Sequence, residues 1–168
     1  MGRYAYAEQP GIARWNLARL AETLLPLIDA NEGHAITLAT EVIDAFPERY
    51  QHHWLAGLRA KLGLSGQVAS GDAADTALGE SWLDLLHAQG VDFTLAWRRL
   101  ADAAEGFDAP LRALFPGQPG LDRWLQRWRE RCAAEDAGAD RAALRAEAMR
   151  RVNPWLIPRN HRVEEALD

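Results

Sequence analysis

Apolar residues recur at three- and four-residue spacings along most of the chain, and no stretch keeps the strict alternation of a half-buried strand. From Ile12 onward Leu17, Leu20, Ala21, Leu24, Leu25 and Ile28 mark one face of a helix, with Trp15 a turn earlier, and Pro26 should bend or end it. Asn31, Glu32 and Gly33 make a turn. Ile36 to Phe46 then repeats the helical spacing and is interrupted near Pro47. Tyr50, Trp54, Leu55, Leu58 and Leu62 carry a further run that stops at Gly63, so residues 34–62 read as two helices or one kinked helix. Later helices are expected over about 75–88, from Phe93 to Leu100 behind an Asp92 cap, from Leu121 to Ala134 and from Asp140 to Val152. A short turn falls around Leu111–Phe115 between prolines, and the Asn153–Pro154 pair forms a break.

The pattern predicts an all-α fold, a multi-helix bundle in a single domain over 1–168, with no internal repeat. Residues 63–74, small and polar, read as a flexible internal loop. Residues 2–10, with Tyr4, Tyr6 and Pro10, read as an ordered but irregular lead-in that needs something to lie against.

Composition changes this picture little. A chain of 168 residues is long enough to bury close to about 70% of its unfolded surface without a metal or disulfide. Hydrophobic residues at 48% and charged residues at 26% are ordinary, and a net charge of -5 gives no general attraction to nucleic acid or an acidic membrane. Lys61 is the only lysine among 19 basic residues, and no function follows from that. Cys132 is the only cysteine, which excludes an intrachain disulfide and a thiolate zinc site of the usual kind. A half-buried helical thiol in a reducing cytosol is the expectation, so the protein is placed in the cytoplasm. With no signal-peptide pattern and no long apolar run, neither secretion nor a membrane span is expected.

Several groupings invite chemistry, and each has a plainer reading. His52 and His53 are neighbours on a helix and point about 100° apart, so they cannot share a metal; a solvated pair beside a buried Trp54 is expected. His34, His87 and His161 are isolated and read as cap or surface residues. The glycines at 63, 66 and 71 lack the preceding strand and following Gly-Lys-Ser/Thr of a phosphate loop. Asp92-Phe93-Thr94 resembles a kinase metal motif but stands where a helix cap is needed. Arg123 to Arg131 with Trp124 and Trp128 could stack on a single strand, yet the tryptophans share one face with arginines at its border, the arrangement of a core stripe. All tryptophans except Trp155, Trp15 included, fall on helical apolar faces and are expected in the core. No residue is assigned as catalytic, cofactor-binding or metal-binding.

GRYAYAEQP with WNLARLAETLLPLI, then RAKLGL, VDFTLAWRRL, PLRALF and NPWLIPRNHRVEEAL, together resemble the C-terminal half of the selenoprotein O (SelO) family, in order and rough spacing from Gly2 to Leu167. The resemblance implies the helical C-lobe portion of a protein-kinase-like fold, in proteins that bind ATP with Mg²⁺ and transfer AMP to Ser, Thr or Tyr hydroxyls of protein substrates. It also implies that the Gly-rich cover, the phosphate-contacting Lys and Arg and the metal-holding Asn/Asp lie before the GRY block. Lys61 then belongs to helical scaffold, and a C-terminal redox motif lies beyond Asp168, a role that Cys132 does not take.

Two functional readings follow. In the first, the chain is the helical portion of a SelO-type protein adenylyltransferase, inactive alone, binding no cofactor itself, with ATP and Mg²⁺ belonging to the full-length protein. In the second it is a stand-alone helical interaction module or a degenerate remnant. An apolar surface around Tyr4, Tyr6 and Trp15, exposed or covered by self-association, is expected from the first.

Overall fold

A computed structural model describes residues 8–66, 71–115, 117, 119–136 and 141–167. Among these residues every regular element is helical: α1 (Gln9–Ile28), α2 (Glu32–Asp44), α3 (Phe46–Leu62), α4 (Gly71–Gln89), α5 (Phe93–Ala104), α6 (Ala109–Arg112), α7 (Pro119–Ala133), α8 (Arg141–Val152) and α9 (Asn160–Leu167). The all-α expectation holds. The chain forms two compact units, Met1–Trp54 and Leu55–Asp168, and the division falls inside α3.

In the first unit α1 and α2 pair as an antiparallel hairpin. Its turn is built from side chains: Asn31 caps α2 by accepting from the His34 amide at 3.0 Å, and Asp29 accepts from the Asn31 amide at 2.7 Å while its other oxygen meets His34 Nδ1 at 2.7 Å. At the opposite end Arg14 donates to Asp44 at 2.7 Å. Ala18, Ala21 and Leu25 face Ile36, Ala39 and Ile43 across a shallow cleft of about 330 Å³. This pairing hides little, since α1 has no buried residue and α2 only Ala35.

The second unit is a packed core. Trp82 of α4 sits at its centre, fully buried, with ring centroids of Trp97, Phe115 and Trp124 at 5.9, 5.8 and 4.4 Å; Trp128 stacks on Trp124 at 6.0 Å. Leu62, Leu100, Leu111, Leu125 and Met149 close the space around them. Burying aromatic rings at such spacings contributes contact energy beyond the area removed from water. Gly79 lets α3 and α4 approach: a Cβ there would lie 2.3 Å from a methyl of the buried Leu58.

The structure corrects several expectations. Trp15 is 49% exposed and lies outside any core; its neighbour Arg19 stands over its ring at 5.8 Å. Trp54 is half-buried rather than buried, beside His52 and His53, which are exposed. Pro26 lies inside α1, which continues to Ile28. Of the two arrangements expected for residues 34–62, the two-helix one holds, α2 and α3 being separated at Ala45. Helix α4 starts at Gly71, four residues ahead of the expected start, because Asp72 and the alanines after it suit a first helical turn and Asp72 is held by Arg59 at 2.8 Å. The span 63–74 is thus helical at its end and, as shown below, tightly bonded at its beginning, with 67–70 outside the described residues. Helix α1 begins at Gln9, ahead of Ile12, with Pro10 in its first turn where the missing N–H costs nothing. Helix α9 was not expected. Tyr4 and Tyr6, and the side chain of His161, lie outside the described residues.

Candidate functional site

The densest polar arrangement in the second unit gathers on the C-terminus of α3, the RAKLGL block. A helix end leaves four carbonyls without intrahelical partners. Here the first two are met by a Schellman turn: the Leu64 amide donates to Arg59 O at 2.8 Å and the Gly63 amide to Ala60 O at 3.2 Å. Gly63 adopts φ 73°, the left-handed conformation this turn requires. The remaining two, and the Gly63 carbonyl just beyond the helix, are each taken by a side chain from a different part of the unit. Asn153 Nδ2 donates to Lys61 O at 3.0 Å, Trp128 Nε1 to Leu62 O at 2.9 Å and Arg145 Nε to Gly63 O at 2.9 Å. The α3 terminus is therefore a hub on which α7, α8 and the segment after α8 converge.

Two charged clusters flank the hub. Asp75 of α4 is fully buried and accepts from Arg59 Nε at 2.7 Å and from Arg131 Nε and Nη2 at 2.7 and 3.2 Å. Burial alone would favour the protonated acid, but Arg131 and Arg59 together hold the carboxyl below the ordinary carboxylate range. Arg131 also pairs with Glu135 at 2.8 Å, and Glu135 accepts from the Ser65 and Gly66 amides at 2.7 and 3.2 Å, fixing the chain as it leaves α3. Burial opposes ionisation of Glu135 as well; those amides and Arg131 prevail and its pKa is lowered. On the other side Lys61 reaches Asn153 Oδ1 at 3.1 Å, so Lys61 and Asn153 bond reciprocally, and the ammonium stands 5.5 Å from the Trp97 ring centroid. Partial burial lowers the Lys61 pKa.

From Asn153 the chain is strapped along α5. Arg98 donates to the carbonyls of Arg150 and Asn153 at 2.9 and 3.2 Å, Arg99 stands over the Trp155 ring at 4.5 Å, and Arg159 pairs at 2.6 Å with Asp92. Asp92 is the α5 cap, accepting from the Leu95 amide at 2.9 Å, so the capping reading holds. Along the strap Leu156 and Ile157 are exposed, as is Leu167 beyond it.

Chemically these groups bind one another. Cys132 is buried and burial pushes its thiol up to about 12, which leaves no thiolate for reaction near neutral pH. Trp124 and Trp128 are buried in the core, so α7 presents no stacking platform for a nucleic-acid strand. Among the described residues no group of three His, Cys, Asp or Glu side chains could hold a metal, and no helix is long and apolar enough to cross a membrane. Among the described residues the guanidinium groups around the hub bond to carboxylates and carbonyls, and the α1–α2 cleft is lined mainly by apolar and small residues.

The model of the family described as protein adenylyltransferase SelO matches residues 1–168. The chain belongs to the SelO family. The expected membership, reached from the order of six sequence blocks, is thereby shown, and the RAKLGL and NPW blocks of this SelO chain are the two halves of the reciprocal Lys61–Asn153 pair. Relatives include the protein nucleotidyltransferase YdiU of Chromobacterium violaceum, 52% identical over 168 residues covering 99% of this chain and 34% of the relative, and that of Rhizobium etli strain CIAT 652, 50% identical over 169 residues covering 99% and 32%. The chain thus spans about a third of the length of the curated relatives it matches. No solved structure matches it. Sequence reasoning quoted the hub residues as family blocks but missed their junction, because Lys61 and Asn153 are far apart in the chain and neither is distinctive alone.

Proposed function

We propose that this chain is the helical scaffold of a SelO-type protein adenylyltransferase and that it transfers no AMP by itself. In this reading the activity, AMP transfer from ATP to Ser, Thr or Tyr hydroxyls of protein substrates, belongs to the longer family polypeptide, and the present residues hold its helical part in shape. The observation that carries the reading is the pairing of a family match across the whole chain with coverage of only a third of relatives named nucleotidyltransferases. The hub supports it, since Asp75, Glu135, Arg145 and Asn153 bond to partners within this chain. Incubation with labelled ATP, Mg²⁺ and a model protein tests it: no label transfer is expected from this chain, and transfer from a full-length relative. Robust transfer by the 168-residue chain would overturn the proposal. A stand-alone interaction module is the second reading, favoured by the bare apolar side of α1; a defined complex formed by this chain with an unrelated protein, and none with family polypeptide, would decide for it.

A further inference from the structure

Helix α1 carries two apolar faces, and α2 covers only one. At about 100° per residue, Ala18, Ala21 and Leu25 centre on one side of the helix, and Leu17, Leu20, Leu24 and Leu27 centre roughly a third of a turn away. The first set lines the cleft against α2. The second set is bare, with exposures of 40%, 53%, 39% and 83%. Its spacing of three, four and three residues is that of a seam into which another helix packs its side chains. Asn16 and Thr23 border the stripe, and the Thr23 hydroxyl is turned back onto Leu20 O at 2.7 Å. No charged side chain interrupts it, so a nucleic acid or a strongly charged peptide has nothing to pair with there.

From this we infer that the Leu17–Leu20–Leu24–Leu27 stripe is the seat of an apolar helix from the part of the family polypeptide that this chain does not carry. The inference rests on the scaffold reading above and names the partner of that scaffold. Two observations select this occupant. The relatives are about three times as long as the stretch they share with this chain, so polypeptide to fill the seat exists in each of them. The stripe is also small: it rises about 15 Å from Leu17 to Leu27, and its four partly exposed leucines present on the order of 350–400 Å², about half of the ~800 Å² per partner of a stable independent interface. Such a patch is too small to hold a second copy from solution, but it is sufficient for a segment kept nearby by chain connectivity, where the effective concentration is in the mM range.

The test co-expresses this chain with the remainder of the Chromobacterium violaceum relative, made without the stretch that matches it. Equimolar co-purification is expected, with slowed amide exchange along α1 and unchanged exchange along α8. The double variant Leu20→Glu/Leu24→Glu should lose at least tenfold in recovered partner, whereas Leu144→Glu, at an equally bare apolar position of α8, should not. Equal recovery with the double variant, or a partner that stays insoluble beside the parent chain, overturns the seat. So does a dimer of the chain alone that the double variant dissociates, because a second copy is then the occupant. The two readings fail separately: a complex that transfers no AMP removes the proposed activity and keeps the seat, and transfer that survives the double variant does the reverse.

Discussion

The α1–α2 hairpin and the helical core built around the α3 terminus are made of similar residues and reach opposite results. The hairpin spans more than thirty residues from Gln9 to Asp44 and buries only Ala35 completely. The core buries Trp82, Trp97 and Trp128 with a shell of leucines and meets the carbonyls at and just beyond the α3 terminus one by one. The hairpin is held at its ends by exposed contacts that water screens, the Arg14–Asp44 pair and the Asp29–His34 hydrogen bond, and such contacts contribute little. Amphipathic spacing is thus necessary for a core and does not create one; a second apolar surface has to be supplied.

The largest test of that contrast removes Asp75. Asp75→Ala leaves Arg59 and Arg131 facing one another in a buried site, and a loss of about 3–5 kcal/mol is expected, read as a lower urea midpoint for the core. Acid reaches the same carboxylate without mutation. Because the folded-state pKa of Asp75 is depressed, as are those of Glu135 and Asp136, their contribution is complete above the ordinary values of 3.8 and 4.5 and is lost as pH falls through the depressed ones. Core stability should be flat from neutral pH to about 5 and drop steeply below 4, followed by far-UV circular dichroism; a drop centred near pH 6 would contradict the assignment.

Gly79→Ala is a smaller and more pointed probe. In an exposed helix interior this change is favourable by about 1 kcal/mol, but the new methyl would press on buried Leu58, so a net loss of about 1–3 kcal/mol is expected from overpacking. The smallest effect belongs to the hairpin. Leu24→Gln on the bare stripe should change the stability of the chain by no more than about 0.5 kcal/mol, and a loss above 2 kcal/mol would show that the stripe is already covered.

Much of the fold was legible. The three-and-four spacing located the helices, Asp92 announced a cap that the structure confirms, and Asn153–Pro154 ended α8 as expected. Trp15 was misplaced because periodicity reports which face of a helix is apolar and says nothing about whether a neighbour arrives to cover it. The onset of α4 was missed because Asp72, Ala73 and Ala74 look like loop residues until Arg59 stands beside them. Helix α9 went unread because its apolar positions, Val163 and Leu167, are few and stay exposed. The hub left the weakest trace, since backbone carbonyls carry no sequence signature and their side-chain partners come from residues up to 92 positions away.

The tryptophan cluster has a practical consequence for anyone following this protein by light. Four indoles, Trp82, Trp97, Trp124 and Trp128, lie in one dry interior with neighbouring rings 4.4 to 6.0 Å apart, close enough for excitation to pass among them. Intrinsic fluorescence will therefore be dominated by the interior of the core, blue-shifted and partly self-quenched, while the exposed Trp15 on the hairpin and Trp155 on the strap add a red-shifted signal from their wet surroundings. In a Trp155→Phe background, which removes the exposed indole of the strap, a spectrum that keeps its short-wavelength band while the long-wavelength shoulder changes would record an event in the first unit, so one cuvette can separate occupation of the hairpin from melting of the core.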